Sequence, residues 1–265
     1  MRLSVIRDFY VYLQSAMRHY ALIGRTLSHS YSKGCFDAQH FPDADYRLYE
    51  TPSVEGIRQW VEREHIDGFN VTVPYKQTII GQLDALSPEA ESIGAVNCVA
   101  VNGDRLVGHN TDAPAFQHTL LKIKDEELRM KNFSQAYILG TGGAARAVAY
   151  ALGLLGIPHT FVSRTPENHE NAIGYSQLST SDLQLSTLIV NATPVGMYPK
   201  IDATPLDITH AFKHSNINAF VYDLVYNPSP TLLMQQAAAC GAQTKDGLEM
   251  LRLQARLSWH LWGLV

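Results

Sequence analysis

The stretch AYILGTGGAARAVAYALGLLG, residues 136–156, decides the fold. AYILG reads as a buried strand. It meets Gly140-Thr141-Gly142-Gly143-Ala144-Ala145, which fits G-x-G-x-x-A, and an apolar helix then closes on Gly156. The first glycine permits the tight turn, the second lets a pyrophosphate approach the backbone, and the small Ala145 lets helix and strand pack closely. Free N–H groups at the helix start would face the anion. Glycine turns are common, so the flanking strand and helix carry this reading. HTFVSR (159–164), STLIVNA (186–192) and AFVYDLVYN (219–227) read as further strands, a βαβ series of its own.

The end of the strand after the glycine turn chooses the dinucleotide. An NAD binder usually places an acid there for the ribose hydroxyls. This chain has Ser163-Arg164-Thr165, whose guanidinium and two hydroxyls suit a 2′-phosphate, so the pattern favours NADP. Glu167 lies close and opposes that preference, and a surface arginine at a strand end is the plain alternative.

Upstream, YALIG (20–24), YRLYE (46–50) and GFNVTVP (68–74) read as strands, with a helix over Val54–Glu64 that Ser53 could cap. Ser87-Pro88-Glu89 looks like a helix start, and AVNCVAV and RLVGH flank the hairpin signal Asn102-Gly103-Asp104. Both halves are therefore α/β. KIKDEELRMKN (122–132) between them reads as a solvated helix or linker.

The 265 residues allow one large domain or two, and 46% apolar with 17% charged residues excludes a disordered chain. A net charge of −4 argues against a general nucleic-acid binder, which needs a clustered basic surface. Three scattered cysteines with no CxxC make no disulfide framework and suit a reducing, cytoplasmic setting. The uncharged stretch that most resembles a span, 147–163, is only 17 residues and holds Gly153, Gly156 and Pro158, so no span is expected. Residues 1–17 lack a signal-peptide pattern and read as an extension.

Several polar residues break the apolar patterns. In Asn70-Val71-Thr72-Val73-Pro74-Tyr75-Lys76, alternation puts Asn70 and Thr72 on one face of a strand. Lys76 lies just past its end, where α/β sheets place ligands; alone it would be a loop lysine. Asn110-Thr111-Asp112 offers an acid at another strand end, or a plain turn. Ser30 and Ser32 on an extended backbone would aim both hydroxyls one way, enough to hold a carboxylate; the alternative is a polar loop. Asp246-Gly247-Leu248-Glu249 resembles a capping box. In the helix it opens, Gln254 is the single polar residue on an apolar stripe, facing either a polar ligand or water. His210 and His214 have i,i+4 spacing without an HExxH glutamate and read as a solvated face, so no metal is expected.

HSYS (29–32), NVTVPYK (70–76), AVN (95–97), NTD (110–112), GTGGAARA (140–147), NATPVGM (191–197), YDLVYNP (222–228) and GLEMLRLQA (247–255) occur in this order. Together they resemble the shikimate dehydrogenase family from about Tyr20 to Leu261. The resemblance implies a reversible NADPH-linked reduction of 3-dehydroshikimate to shikimate, a step towards chorismate and the aromatic amino acids. It implies a substrate domain over 18–114, completed by the helix at 247–265, around a Rossmann domain over 115–246. By matching position, Ser30 and Ser32 would hold the substrate carboxylate. Thr72, Lys76, Asn97, Asp112 and Gln254 would hold ring hydroxyls and the reacting oxygen, with Lys76 and Asp112 the catalytic pair. Gly140, Gly142, Gly143, Ala144, Ser163, Arg164, Thr165, Thr193, Met197, Tyr226 and Gly247 would line the NADP site. The state would be monomer or homodimer, with hinges near 112–118 and 240–247. Quinate or aminoshikimate as substrate with relaxed NAD use, and a non-catalytic nucleotide-binding module, are the rival readings.

The chain departs from the family pattern in places. Thr26 and Lys33 replace flanking prolines, and Lys33 adds a charge near the serines. Ala113-Pro114-Ala115 follows the NTD motif in place of Gly-x-Gly. Ser163 replaces an asparagine, and Asn168 lies near where a second basic residue often helps hold the 2′-phosphate.

Overall fold

The computed structural model describes residues 17–28, 30–126, 133–178, 187–208 and 219–265. Residues 1–16, His29 and the His210/His214 pair lie outside them, as do 127–132 of the charged segment. Two sheets organise the rest. The first contains β1 (Arg18–Gly24), β2 (Ala44–Glu50), β3 (Ile66–Val71), β4 (Ala85–Leu86), β5 (Cys98–Asn102) and β6 (Arg105–His109), in the order β2-β1-β3-β5-β6-β4. Its β1 runs parallel to β2 and β3, whereas β5 is antiparallel to β3 and β6. The hairpin turn between β5 and β6 is made by Gly103 at φ 66°.

The second sheet contains β7 (Gln135–Leu139), β8 (His159–Ser163), β9 (Ala172–Gly174), β10 (Thr187–Asn191), β11 (Ala219–Asp223) and β12 (Gln243–Lys245). All its pairs are parallel, in the order β12-β11-β10-β7-β8-β9. This is the doubly wound order, and the strand order reverses between β7 and β10. Both faces are covered, as a parallel sheet requires. Ile138, Val190 and Tyr222 pack on one side with Phe116, Leu120 and Leu152; Leu139, Ile189 and Val221 pack on the other with Leu233.

Seven described helices complete the fold: α1 (Ser32–Asp37), α2 (Ile57–Glu64), α3 (Pro88–Ile93), α4 (Asp112–Glu126), α5 (Gly143–Leu154), α6 (Leu232–Ala239) and α7 (Leu248–Leu261). Helix α7 belongs to both halves. Its Met250 enters the core under the second sheet, while its Ala255 and Trp259, with Trp262 just past its end, enter the core under the first with Tyr20, Phe36 and Tyr46. Trp262 stacks on Tyr20 with centroids 4.6 Å apart and donates its indole N–H to Val99 O at 3.0 Å. A Cβ at Gly68 would run into this indole, so glycine there admits the helix.

Local readings needed correction where tertiary contacts overrode pattern. The strand expected over 68–74 ends as regular structure at Val71, although Thr72 N still donates to Ile23 O of β1 at 2.9 Å. Helix α2 starts after Gly56 in a left-handed conformation, and Ser53 closes a local turn by accepting from Glu55 N at 3.1 Å. The capping box at 246–249 does not form. Glu249 is drawn instead to Lys245 and Lys122, at 2.7 and 2.9 Å. The backbone at Tyr31 is helical, so Ser30 and Ser32 are not presented from an extended chain; Ser30 Oγ accepts from Ser32 N at 3.2 Å. Residues 112–118 lie in the continuous helix α4, whose first turn accommodates Pro114 because its missing N–H has no intrahelical partner to lose. Within 240–247, residues Gln243–Lys245 form β12.

Candidate active site

Lys76 follows β3 by five residues and Asp112 opens α4. The backbone aims them at each other: Val96 N donates to Lys76 O at 2.7 Å, and Asn97 N to His109 O at 3.1 Å. Lys76 Nζ donates to Asp112 Oδ2 at 2.6 Å, with side-chain exposures of 15% and 7%. One of the three ammonium donors is thereby committed, leaving two for a ligand.

Asn97 is the hub of the polar cluster behind this pair. Its Nδ2 donates to Asp112 Oδ1 and Thr111 Oγ1 at 2.9 Å, and to Gln254 Oε1 at 3.3 Å. Thr111 N donates to Asn97 Oδ1 at 2.7 Å. Gln254 thus faces the polar cluster, not bulk water. The layer beneath continues through residues that pattern reading did not assign. Asn70 Nδ2 donates to Asn97 O and to Ser258 Oγ, and Tyr46 OH donates to Asn70 Oδ1 at 2.8 Å. Burial pushes the Tyr46 phenol well up, which keeps it a donor. The available signals were Asn70 inside an apolar strand and Ser258 one turn beyond Gln254.

Thr72 is half-buried against Gly24, and its hydroxyl makes no hydrogen bond among the described residues. The loop carrying Ser30 is held although Thr26 replaces a proline: Leu27 N donates to Glu50 Oε1 at 2.6 Å and Ser30 N to Leu27 O at 2.8 Å. Lys33 is turned along α1 into an ion pair with Asp37 at 2.8 Å.

The glycine turn meets this site. Gly140 has φ 101°, and a Cβ there would stand 2.8 Å from Thr193 Cγ2, so Gly140 and Thr193 come together at the reversal point between β7 and β10. Gly142 is exposed, and nothing stands within 4 Å of a Cβ built on it, so open space lies before the turn. Gly143 starts α5 against Lys76: a Cβ there would lie 2.8 Å from Lys76 Cβ and 3.3 Å from Ala95 Cβ. These residues fit a dinucleotide, with a bare turn, a helix N-terminus and a free approach.

At the end of β8, Ser163 is buried and its hydroxyl accepts from Thr165 N at 3.1 Å. Arg164 and Thr165 are exposed. Arg164 makes no hydrogen bond or ion pair among the described residues, so Glu167 does not neutralise it by direct pairing. His169 Nε2 stands 3.1 Å from Thr141 Oγ1, a contact on the glycine turn that the motif reading missed. Met197 is half-buried on the loop after Thr193. Gly247 leaves no room for a side chain beside Leu224. Tyr226 sits on the serine side of the cleft, its ring edge-on to Tyr31 at 5.3 Å. No cluster of three His, Cys, Asp or Glu suited to a metal occurs among the described residues, and no described helix is long and apolar enough to cross a membrane.

Known proteins carry the same pattern. Residues 22–99 match the family described as the shikimate dehydrogenase substrate binding domain. A shikimate dehydrogenase (NADP(+)) of Caldicellulosiruptor saccharolyticus is 34% identical over 93% of this chain and 92% of its own. The chain belongs to the shikimate dehydrogenase family. Family structures agree. Shikimate dehydrogenase 1 of Peptoclostridium difficile superposes with a TM-score of 0.81 at 31% identity, covering 93% of this chain and 92% of its own. The Thermus thermophilus enzyme, solved in complex with NADP(H) and shikimate, gives 0.77 at 33% identity over 93% of both chains.

Proposed function

We propose that the chain catalyses the reversible, NADPH-dependent reduction of 3-dehydroshikimate to shikimate. The observation that carries this reading is the Lys76–Asp112 pair standing directly against the helix start of the glycine turn. The turn at Gly140, Gly142, Gly143 and Ala144 would hold the pyrophosphate, with Thr193, Met197 and Gly247 bordering the cleft. The end of β8, with Ser163, Arg164 and Thr165, would hold the 2′-phosphate end. When bound, the nicotinamide supplies the hydride in reduction and accepts it in oxidation.

The remaining work falls to side chains. Reduction of the ketone builds negative charge on its oxygen, and the Lys76 ammonium supplies both the counter-charge and the proton. Asp112 fixes the direction of that ammonium and is itself fixed by Asn97. Asn97, Thr72 and Gln254 would hold ring hydroxyls, and Ser30 and Ser32 the carboxylate, with Tyr226, which meets Tyr31, between this end and the dinucleotide. The substrate unit would run over 18–114 with the helix at 247–265, and the dinucleotide unit over 115–246. The free thiols Cys35, Cys98 and Cys240 suit a reducing cytoplasm.

A four-way assay of shikimate and quinate with NADP⁺ and NAD⁺ tests the assignment. The highest kcat/KM is expected for shikimate with NADP⁺. A preference for quinate with NAD⁺ would overturn it in favour of the quinate relatives, and no turnover of any pair would leave a binding module.

A further inference from the structure

A large cavity of about 1190 Å³ opens beside the serine loop, between α1 and α7. Ser30 and Tyr31 line it on one side, Arg252 and Arg256 on another, and Tyr198 and Asn227 from the dinucleotide half close the third. No Asp or Glu is among its lining residues, although the last residue, Val265, reaches it. The two arginines are exposed and stand one helical turn apart, so their side chains share a face of α7. Neither makes a hydrogen bond or an ion pair among the described residues. That sets them apart from Arg47, Arg58, Arg63 and Lys33, each of which has a carboxylate partner. The field of Arg252 reaches the opposite wall, where it pulls down a Cys35 thiol that burial pushes up.

Arg252 and Arg256 lie on the face of α7 turned away from Gln254 and Ser258, so they do not reach the polar cluster at Asn97. What they share with the reaction site is Ser30, the residue assigned to the substrate carboxylate. The serine hydroxyls are neutral, Lys33 is spent on Asp37, and the molecule as a whole carries −4. A carboxylate approaching this protein is repelled on average and needs a local reversal of sign.

We infer that Arg252 and Arg256 form an anion vestibule that draws the substrate carboxylate through this cavity to Ser30. This rests on the proposed dehydrogenase activity and names two specificity-determining residues for it. Exposed charges in a cleft act through space and are screened within a Debye length, so the effect must depend on salt.

The test compares wild type, Arg252→Ala/Arg256→Ala and the charge-matched surface control Arg63→Ala/Arg105→Ala, in shikimate oxidation with NADP⁺. At low ionic strength the vestibule variant is expected to lose about tenfold in kcat/KM through KM, with kcat kept, and the gap should close in about 0.5 M salt. The control should match wild type. The methyl ester of shikimate, which lacks the charge, should show no difference between wild type and variant. Inorganic phosphate should inhibit wild type competitively with shikimate and the variant much less. Equal kcat/KM in wild type and variant at low salt, a loss unaffected by salt, or phosphate inhibition not competitive with shikimate would overturn the vestibule. A wild type inactive on shikimate would instead overturn the function on which it rests.

Discussion

Gly143 is where the two halves of the chemistry touch. A Cβ there would stand 2.8 Å from Lys76 Cβ and 3.3 Å from that of Ala95, neither of which is the far end of a flexible chain. Gly143→Ala should therefore displace the lysine segment or the helix start, lowering kcat at least tenfold. The melting temperature should stay within a few degrees, since alanine favours the helix by up to about 1 kcal/mol. Steady-state rates and thermal melts on one preparation check both. Lys76→Ala removes the proposed proton donor, so kcat should fall about 10²–10⁴-fold with shikimate binding less affected; unchanged turnover would refute the role. Lys76 and Asp112 could be singled out in the sequence because each is a charged residue past an apolar strand, but their pairing follows only from the fold. Tyr46 and Ser258 were not, because they act through Asn70, and the Asn70–Ser258 bond joins positions 188 residues apart. Local periodicity carries no such information.

Among elements, the strand ends of the second sheet do most to shape the cofactor side. Arg164 projects from the end of β8 without a partner among the described residues, available to a 2′-phosphate. Arg164→Ala should raise the KM for NADP⁺ about 10–100-fold, the worth of one or two charge-assisted hydrogen bonds, and leave that for NAD⁺ nearly unchanged. Equal changes would remove the 2′-phosphate assignment. At the ends of β10 and β11, Asp223 is fully buried and accepts from Asn191 at 2.8 Å and Thr231 at 2.7 Å. Asn191 in turn positions Thr193 at the glycine turn. Burial pushes the Asp223 carboxyl up to about 6. The folded state therefore holds a proton that the unfolded chain has released, and the contribution of this carboxyl to stability falls as pH rises from about 4 to 6. In Asp223→Asn this decline should disappear, so the variant gains on wild type by up to about 3 kcal/mol across that window and no more above it. Urea unfolding at pH 4, 5, 6 and 7 reads the difference; parallel pH profiles would show that the carboxyl does not titrate there. The strands themselves were readable from apolar runs. The lost capping box was not, because Glu249 is drawn away by Lys122 on a different helix.

For the whole molecule, the geometry that matters is how one half sits against the other. The doubly wound half was announced by its glycine turn, and the first sheet by strand and hairpin signals. The seam between them was hidden, since it is built from residues with no pattern of their own: Ile93, Ala95, Ala113 and Ala147 form a small buried cluster where α3, α4 and α5 meet. Helix α7 also ties the halves together, with Met250 in one core and Trp259 in the other. Small side chains let the halves approach closely enough for Gly143 to rest on Lys76. Ala147 is fully buried in that cluster, so Ala147→Leu should wedge α5 away from α3 while leaving each sheet intact. Overpacking of this kind costs about 1–3 kcal/mol. A matched substitution inside one core, Ala237→Leu against the second sheet, should cost a similar amount. The two should differ in catalysis. Measured well below both melting temperatures, Ala147→Leu should lower kcat tenfold or more by separating hydride donor from lysine, whereas Ala237→Leu should turn over at the wild-type rate. If both variants lose stability equally and keep full kcat, the seam is packing alone and does not set the distance across which hydride moves.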